Sequence, residues 1–117
     1  MSGDKIETVH SSSSHVIGRA QNIVRGQRLI LDSSTRPQPD ALTNSEAFLA
    51  GISSCGVTLI EMHAHDTGIP VRRIDVTIEG VRAAADPARF SRVSMRFEID
   101  GVSQPEAEKL VEMYRQR

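Results

Sequence analysis

The chain has 117 residues, a length typical of one domain, and its 14 basic and 15 acidic residues leave a net charge of -1. Balanced charge, an aromatic content of 3% and the lack of Trp exclude the basic, base-stacking surfaces used to bind nucleic acid. We find in the sequence neither an apolar run long enough to span a membrane nor the pattern of a signal peptide. The single Cys excludes an internal disulfide. We therefore expect a cytoplasmic protein with neither nucleic acid nor membrane as a partner.

The N-terminal part of the chain predicts a β-hairpin followed by a connection. Residues 1–14 are polar and predict a mobile tail or a weak edge strand. β-Branched side chains then recur over residues 15–32 on both sides of Gly26, which is the pattern of a hairpin with its turn at that glycine. Residues 33–42 contain two prolines and no periodicity, which indicates a loop.

A long helix is predicted over residues 44–67, with a capping box formed by Thr43 and Glu46 at its start. Apolar side chains recur along it at spacings of four and three residues. This spacing predicts one buried stripe that points the cysteine inward, formed by Phe48, Ile52, Cys55, Leu59 and Met62. Small residues surround the cysteine and indicate the close approach of a second helix, from this chain or from another copy: Gly51, Ser53, Ser54 and Gly56.

The remaining chain predicts two strands and a second helix. Apolar and polar residues alternate over residues 71–82 and 90–100, which is typical of half-buried antiparallel strands. A second capping box, Ser103 with Glu106, opens a helix over residues 104–117. The order of elements predicts a single α+β domain over residues 1–117, in which an antiparallel sheet covers the helices on one face.

Cys55 has two interpretations on these observations. Free Cys is among the most buried residue types, so Cys55 can be a small residue of the core. Its small neighbours also leave space for a substrate to reach the sulfur, and the hairpin carries cations that could stabilise a thiolate nucleophile. These cations are Arg19, Arg25 and Arg28.

The other candidate residues have simpler explanations. Glu46 lies nine residues before Cys55, about 13 Å along the axis and on nearly the opposite face, so helix capping is its first expected role. A contact between the two would require a bend, a bridging Arg or a second chain. His63 and His65 point apart on a helix, and no other spacing is typical of a metal site, so we expect neither a metal nor a cofactor.

The segment from Glu46 to Cys55, Glu-Ala-Phe-Leu-Ala-Gly-Ile-Ser-Ser-Cys, resembles the central helix of the OsmC/Ohr superfamily of osmotically inducible and organic hydroperoxide resistance proteins. The resemblance implies an OsmC-like fold, in which an antiparallel sheet wraps a long central helix and two chains form an intertwined homodimer. It also implies an antioxidant, stress-response activity: a thiol-dependent peroxidase that reduces organic hydroperoxides. Cys55 would be the peroxidatic thiol, and Glu46 would hold an Arg of the hairpin, Arg25, with Arg28 as the alternative.

The sequence departs from the family pattern in three places. Asn44 stands where members usually have Pro, and Ser45 where the two well-studied branches have Glu. The family's second Cys normally follows the last helix, where this sequence stops, so we expect either a chain that lacks the family's C-terminal end or a member with one Cys. In both cases we expect an external thiol or dithiol as reductant. The alternative function is a non-catalytic dimeric module that binds an apolar small molecule, with Cys55 as core packing.

Overall fold

The computed structural model describes residues 3–116, so Met1, Ser2 and the last residue of the predicted final helix lie outside it. Within this range the elements are, in chain order, β1 His10–Ser13, β2 Arg19–Val24, β3 Gln27–Asp32, β4 Leu42–Thr43, α1 Asn44–Thr67, β5 Arg73–Val81, β6 Arg92–Asp100 and α2 Gln104–Arg115. These elements confirm the α+β class. Contacts group them into two compact units, the first ending at Phe48 and the second beginning at Leu49.

The sheet of the first unit is built on a tight hairpin. β2 and β3 pair antiparallel from Arg19 opposite Asp32 to Val24 opposite Gln27. Arg25 and Gly26 form the two-residue turn between them, with φ of 50° and 76°. Positive φ at both central residues suits the right-handed twist of the strands.

Two further strands flank this hairpin in the order β1-β2-β3-β4. β1 pairs antiparallel with β2, whereas β4 pairs with β3 in parallel over two residues. We expected an antiparallel sheet; the described strands form two sheets, and the first also contains a two-residue parallel pairing at one edge. The parallel pairing arises because the loop after β3 returns the chain beside that strand in the same direction before α1 begins.

The second unit combines the greater part of α1 with β5, β6 and α2. β5 and β6 pair antiparallel from Arg73 opposite Asp100 to Val81 opposite Arg92. Half-buried and exposed side chains alternate along β5, as the period of two requires. α2 opens with a capping box, in which Ser103 Oγ accepts a hydrogen bond from the Glu106 N–H at 3.3 Å.

The buried face of α1 differs from the predicted stripe. Gly56, Ile60 and Ala64 are buried, and the last two are 0% and 2% exposed. Cys55 is exposed, as is Met62 at 53%. The prediction that Cys55 points inward is therefore wrong for the single chain, because consecutive helical residues point about 100° apart and α1 turns the side of Gly56 toward its own unit.

The apolar character of α1 also corrects an expectation drawn from the sequence. By length and composition α1 could cross a membrane, whereas we expected no apolar run of that length. Central helices of soluble proteins meet the same criterion, so one such helix is weak evidence for a membrane segment. Only 17% of its most apolar window is buried within the chain, which leaves apolar surface for another partner.

Candidate functional site

Cys55 lies in the middle of α1 and its thiol is exposed. One turn earlier, a Cβ added to Gly51 would meet nothing within 4 Å apart from its chain neighbours and the backbone of its own helix, so the space on this side of the helix is open. One turn later, the Thr58 hydroxyl is bonded to the Cys55 carbonyl oxygen at 3.4 Å and thus points back into the helix. A reagent can reach the sulfur in this arrangement, which is the first condition for a nucleophilic thiol.

Tyr114 of α2 packs against the same turn of α1. Its hydroxyl donates a hydrogen bond to the carbonyl oxygen of Ile52 at 3.1 Å. Its ring lies at 59° to the ring of Phe97, with 5.7 Å between the centroids. The packing at Gly56 is close, because a Cβ there would lie 3.5 Å from Tyr114 Cζ, an ordinary contact, and 3.3 Å from the Phe97 ring, which is tight.

The surroundings of Tyr114 raise the pKa of its hydroxyl. Burial raises the pKa of Tyr114 above its usual range, and the negative charge of a Cys55 thiolate raises it further. The hydroxyl therefore keeps its proton at neutral pH and remains a donor. Sequence analysis placed Tyr114 only within the helix predicted over residues 104–117. The signal it missed is that a Tyr at a core-facing position needs a partner for its hydroxyl.

Glu46 occupies the start of α1, as the capping box predicts. Its carboxylate accepts a hydrogen bond from the Thr43 N–H at 2.9 Å, and the Thr43 hydroxyl accepts one from the Glu46 N–H at 3.2 Å. The reciprocal bonds satisfy two donors at the helix start. A second role of Glu46 toward Cys55 stays a prediction.

The three arginines of the hairpin have different settings. Arg25 is exposed at the turn, and Arg28 is exposed on β3, opposite Ile23. Arg19 instead donates to both carboxylate oxygens of Asp32, at 2.7 and 2.9 Å, and to both of Asp40, at 2.6 and 3.1 Å. Arg19 is thus held by two carboxylates, while Arg25 stays the predicted partner of Glu46.

The Arg19 cluster has strongly perturbed ionisation. The hydrogen bonds that Arg19 donates to Asp32 and Asp40 raise the pKa of Arg19 and lower the pKa of both carboxyls. Asp32 is 1% exposed and Arg19 17%, so the pair is largely shielded from solvent. Sequence analysis did not identify either carboxylate, although an Asp that ends an apolar strand is a signal for a buried partner.

Metal-ligating side chains are not clustered in the described part of the chain. Within residues 3–116 no group of three or more His, Cys, Asp or Glu could hold a metal ion. His63 is half-buried and His65 is exposed in the last turns of α1. His65 Nδ1 lies 3.4 Å from the Asp66 carboxylate, and both side chains face solvent.

Solved structures share this fold at low sequence identity. They include an OsmC-like protein from Mycoplasma pneumoniae, with a TM-score of 0.82 and 17% identity over 97% of this chain and 83% of that chain. An organic hydroperoxide resistance protein OsmC from Legionella pneumophila has a TM-score of 0.69 and 19% identity, over 96% and 83%. An organic hydroperoxide resistance protein from Elizabethkingia anophelis has a TM-score of 0.75 and 16% identity, over 99% and 85%.

Sequence comparison assigns the family. No curated protein sequence matches the chain. At identities below 20%, the solved structures establish the fold alone. The family model for OsmC-like proteins, however, matches residues 37–117, which is more than half of the sequence and includes α1 with Cys55. The chain belongs to the OsmC-like protein family.

Proposed function

We propose that the chain is a thiol-dependent peroxidase that reduces organic hydroperoxides through Cys55. The observation that carries this proposal is the exposure of the single Cys in the middle of α1. The fold is shared with proteins named for organic hydroperoxide resistance, which supports the choice of substrate. A thiol shielded in the core could not meet a peroxide, whereas this one is reachable from outside its own chain.

The proposed chemistry balances with an external reductant. The Cys55 thiolate attacks one peroxide oxygen, an S–O bond forms as the O–O bond breaks, and the departing alkoxide takes a proton to become an alcohol. A thiol then attacks the sulfenic acid, releases water and leaves a mixed disulfide. A second thiol, or the second group of a dithiol, frees Cys55. Because Cys55 is the only Cys of the 117 residues, we propose an external thiol or dithiol for these steps.

We also propose a second copy of the chain as the partner of α1. Phe48 and Met62 are 59% and 53% exposed, and the space at Gly51 is open. Exposed apolar side chains of this size are typical of a surface that is covered in the assembly. A pocket closed by a second copy would be apolar and would favour an alkyl hydroperoxide over hydrogen peroxide.

We further propose roles in the reaction for Glu46 and Arg25. Glu46 would orient the Arg25 guanidinium, which would stabilise the thiolate and the departing oxygen. We place this chemistry in the cytoplasm, where low-molecular-weight thiols keep a lone Cys reduced.

The test exposes the purified protein briefly to cumene hydroperoxide or to hydrogen peroxide and measures intact mass, with dimedone to trap the sulfenic acid. We expect oxidation of Cys55 to be roughly tenfold or more faster with the organic peroxide, the discrimination that apolar contacts typically supply. Added dihydrolipoamide should then support turnover, and Cys55→Ser should abolish both signals.

A thiol that stays inert to both oxidants would refute the peroxidase. The alternative is then a non-catalytic dimeric module that binds an apolar small molecule. In that case Cys55→Ser should retain binding of a hydrophobic dye, since Cys55 would contribute only packing.

A further inference from the structure

We infer, building on the proposed function, that Tyr114 is a positioning residue for the Cys55 thiol. Its hydroxyl attaches α2 to the turn of α1 that carries the cysteine. The bond joins side chain and backbone across 62 residues of sequence, from Tyr114 Oη to the Ile52 carbonyl oxygen at 3.1 Å.

The bonded carbonyl belongs to the turn around Cys55. In an α-helix the carbonyl of one residue accepts the N–H of the residue four positions later, so the Ile52 carbonyl closes the turn that ends at Gly56. Cys55 lies inside this turn. A hydrogen bond to its backbone restricts the turn without occupying the sulfur, which stays exposed.

The ring of Tyr114 is held on several sides. Its Cζ lies 3.5 Å from the position of a Cβ on Gly56, and its hydroxyl lies 3.8 Å from Met95 Sδ on β6. Phe97, also on β6, packs at a centroid distance of 5.7 Å. The packing of the ring thus fixes the position of the hydroxyl, and a residue whose own conformation is fixed can hold a neighbouring reactive group in place.

Burial is the main cause of the raised pKa of Tyr114, and the negative charge of a Cys55 thiolate is the second. Met95 and Phe97, which contact Tyr114 from β6, do not titrate. Within the described chain, Cys55 is the charged group that acts on this tyrosine. Since the sequence has one Tyr, one Cys and no Trp, each partner can be followed by its own optical signal.

The first experiment compares Tyr114→Phe with Ser103→Ala. Tyr114→Phe keeps the ring but removes the donor, and Ser103→Ala removes the N-cap of the same helix at a similar loss of stability. We expect the rate constant of Cys55 with cumene hydroperoxide to fall about twofold to tenfold in Tyr114→Phe, the factor corresponding to one net hydrogen bond. The rate of Ser103→Ala should equal that of the wild type.

Two results would overturn the role of Tyr114 in this comparison. One is an unchanged rate in Tyr114→Phe. The other is an equal decrease in both variants, which would mean that Tyr114 acts only through the stability of α2. Denaturation midpoints, measured on the same samples, show whether the two variants are matched in stability.

The second experiment uses no peroxide and titrates the absorbance of the single tyrosine. The pKa of Tyr114 should be lower in Cys55→Ser than in the wild type, because the negative thiolate is gone. Equal values in the two proteins would overturn the electrostatic pairing of Tyr114 with Cys55. A lowered value in a protein inert to hydroperoxide would support the pairing of the two residues while refuting the proposed peroxidase.

Discussion

The two faces of α1 can be separated by a pair of alanine substitutions, Ile60→Ala and Met62→Ala. Ile60 is 0% exposed and Met62 is 53% exposed, although they lie two residues apart. The periodicity of the sequence placed Met62 in the core stripe, whereas the structure places Ile60 there. The pair therefore tests which face of the helix its own chain buries.

The magnitude for Ile60→Ala follows from the atoms removed. Three buried carbons at about 0.8 kcal/mol each give about 2.4 kcal/mol, and the residual cavity places the loss within about 2–5 kcal/mol. Unfolding entropy of about 2.1 cal/mol/K per residue amounts to about 0.25 kcal/mol/K for a chain of this length. A loss of about 3 kcal/mol should therefore lower the Tm by about 12 °C.

Met62→Ala should behave differently. Its exposed side chain contributes less than about 1 kcal/mol within the chain. If a second copy covers it, the loss appears in association, so the Tm should depend on protein concentration. Circular dichroism melts at two concentrations roughly a hundredfold apart, with a size measurement at each, distinguish these effects. The face assignment is refuted if Met62→Ala lowers the Tm as much as Ile60→Ala at both concentrations.

Two further predictions concern the turn glycine and the buried ion pair. Gly101→Ala should destabilise the chain more than Gly26→Ala in urea titrations. Both glycines have positive φ, at 98° and 76°, but a Cβ on Gly101 would press on the backbone of residues 70–72, whereas one on Gly26 meets no described atom within 4 Å; equal losses would contradict this. In Asp32→Asn, the free energy of unfolding should fall less steeply than in the wild type as the pH is lowered. Hydrogen bonds from Arg19 lower the pKa of the Asp32 carboxyl from 3.8. The charged carboxylate therefore stabilises the fold fully above pH 3.8, and this stabilisation is lost as the pH falls below 3.8 and through the lowered pKa. An equally steep acid loss in the variant would contradict the assignment.

Local signals predicted much of the fold. The alternation along β5 and β6 is a property of consecutive residues, and a period of two assigns each side chain to a face. The capping boxes at Thr43 and Ser103 likewise depend on residues three apart, and both form in the structure. The α+β class follows from the order of these elements.

The buried face of α1 could not be read from the same signals. Gly56 carries no side chain and so contributes nothing to an apolar pattern, yet it is buried beneath Phe97 and Tyr114. Apolar residues occupy more than one side of α1, and only the position of β6 and α2 decides which side is covered. That position depends on contacts between residues far apart in sequence.

The residues of the candidate site likewise differ in whether the sequence could identify them. Cys55 stood out as the single Cys, and Glu46 as a member of the capping box. The contacts of Arg19 with Asp32 and Asp40 span 13 and 21 residues, and that of Tyr114 with Ile52 spans 62. Such pairings leave no periodic trace, so the sequence identified the reactive group but not the residues around it.

The two sides of α1 at Cys55 meet different requirements. Toward Gly56, the helix is packed on Phe97 and bonded by Tyr114, which restricts its backbone. Toward Met62, the side chains are exposed and the space at Gly51 is open. A nucleophilic thiol needs a restricted backbone and an accessible sulfur together, because orientation contributes to the rate only if the substrate can reach the reacting atom. Had α1 buried its predicted stripe within its own unit, the backbone could have been just as rigid, but that unit would have covered Cys55, whereas here Cys55 lies on the exposed side of the helix.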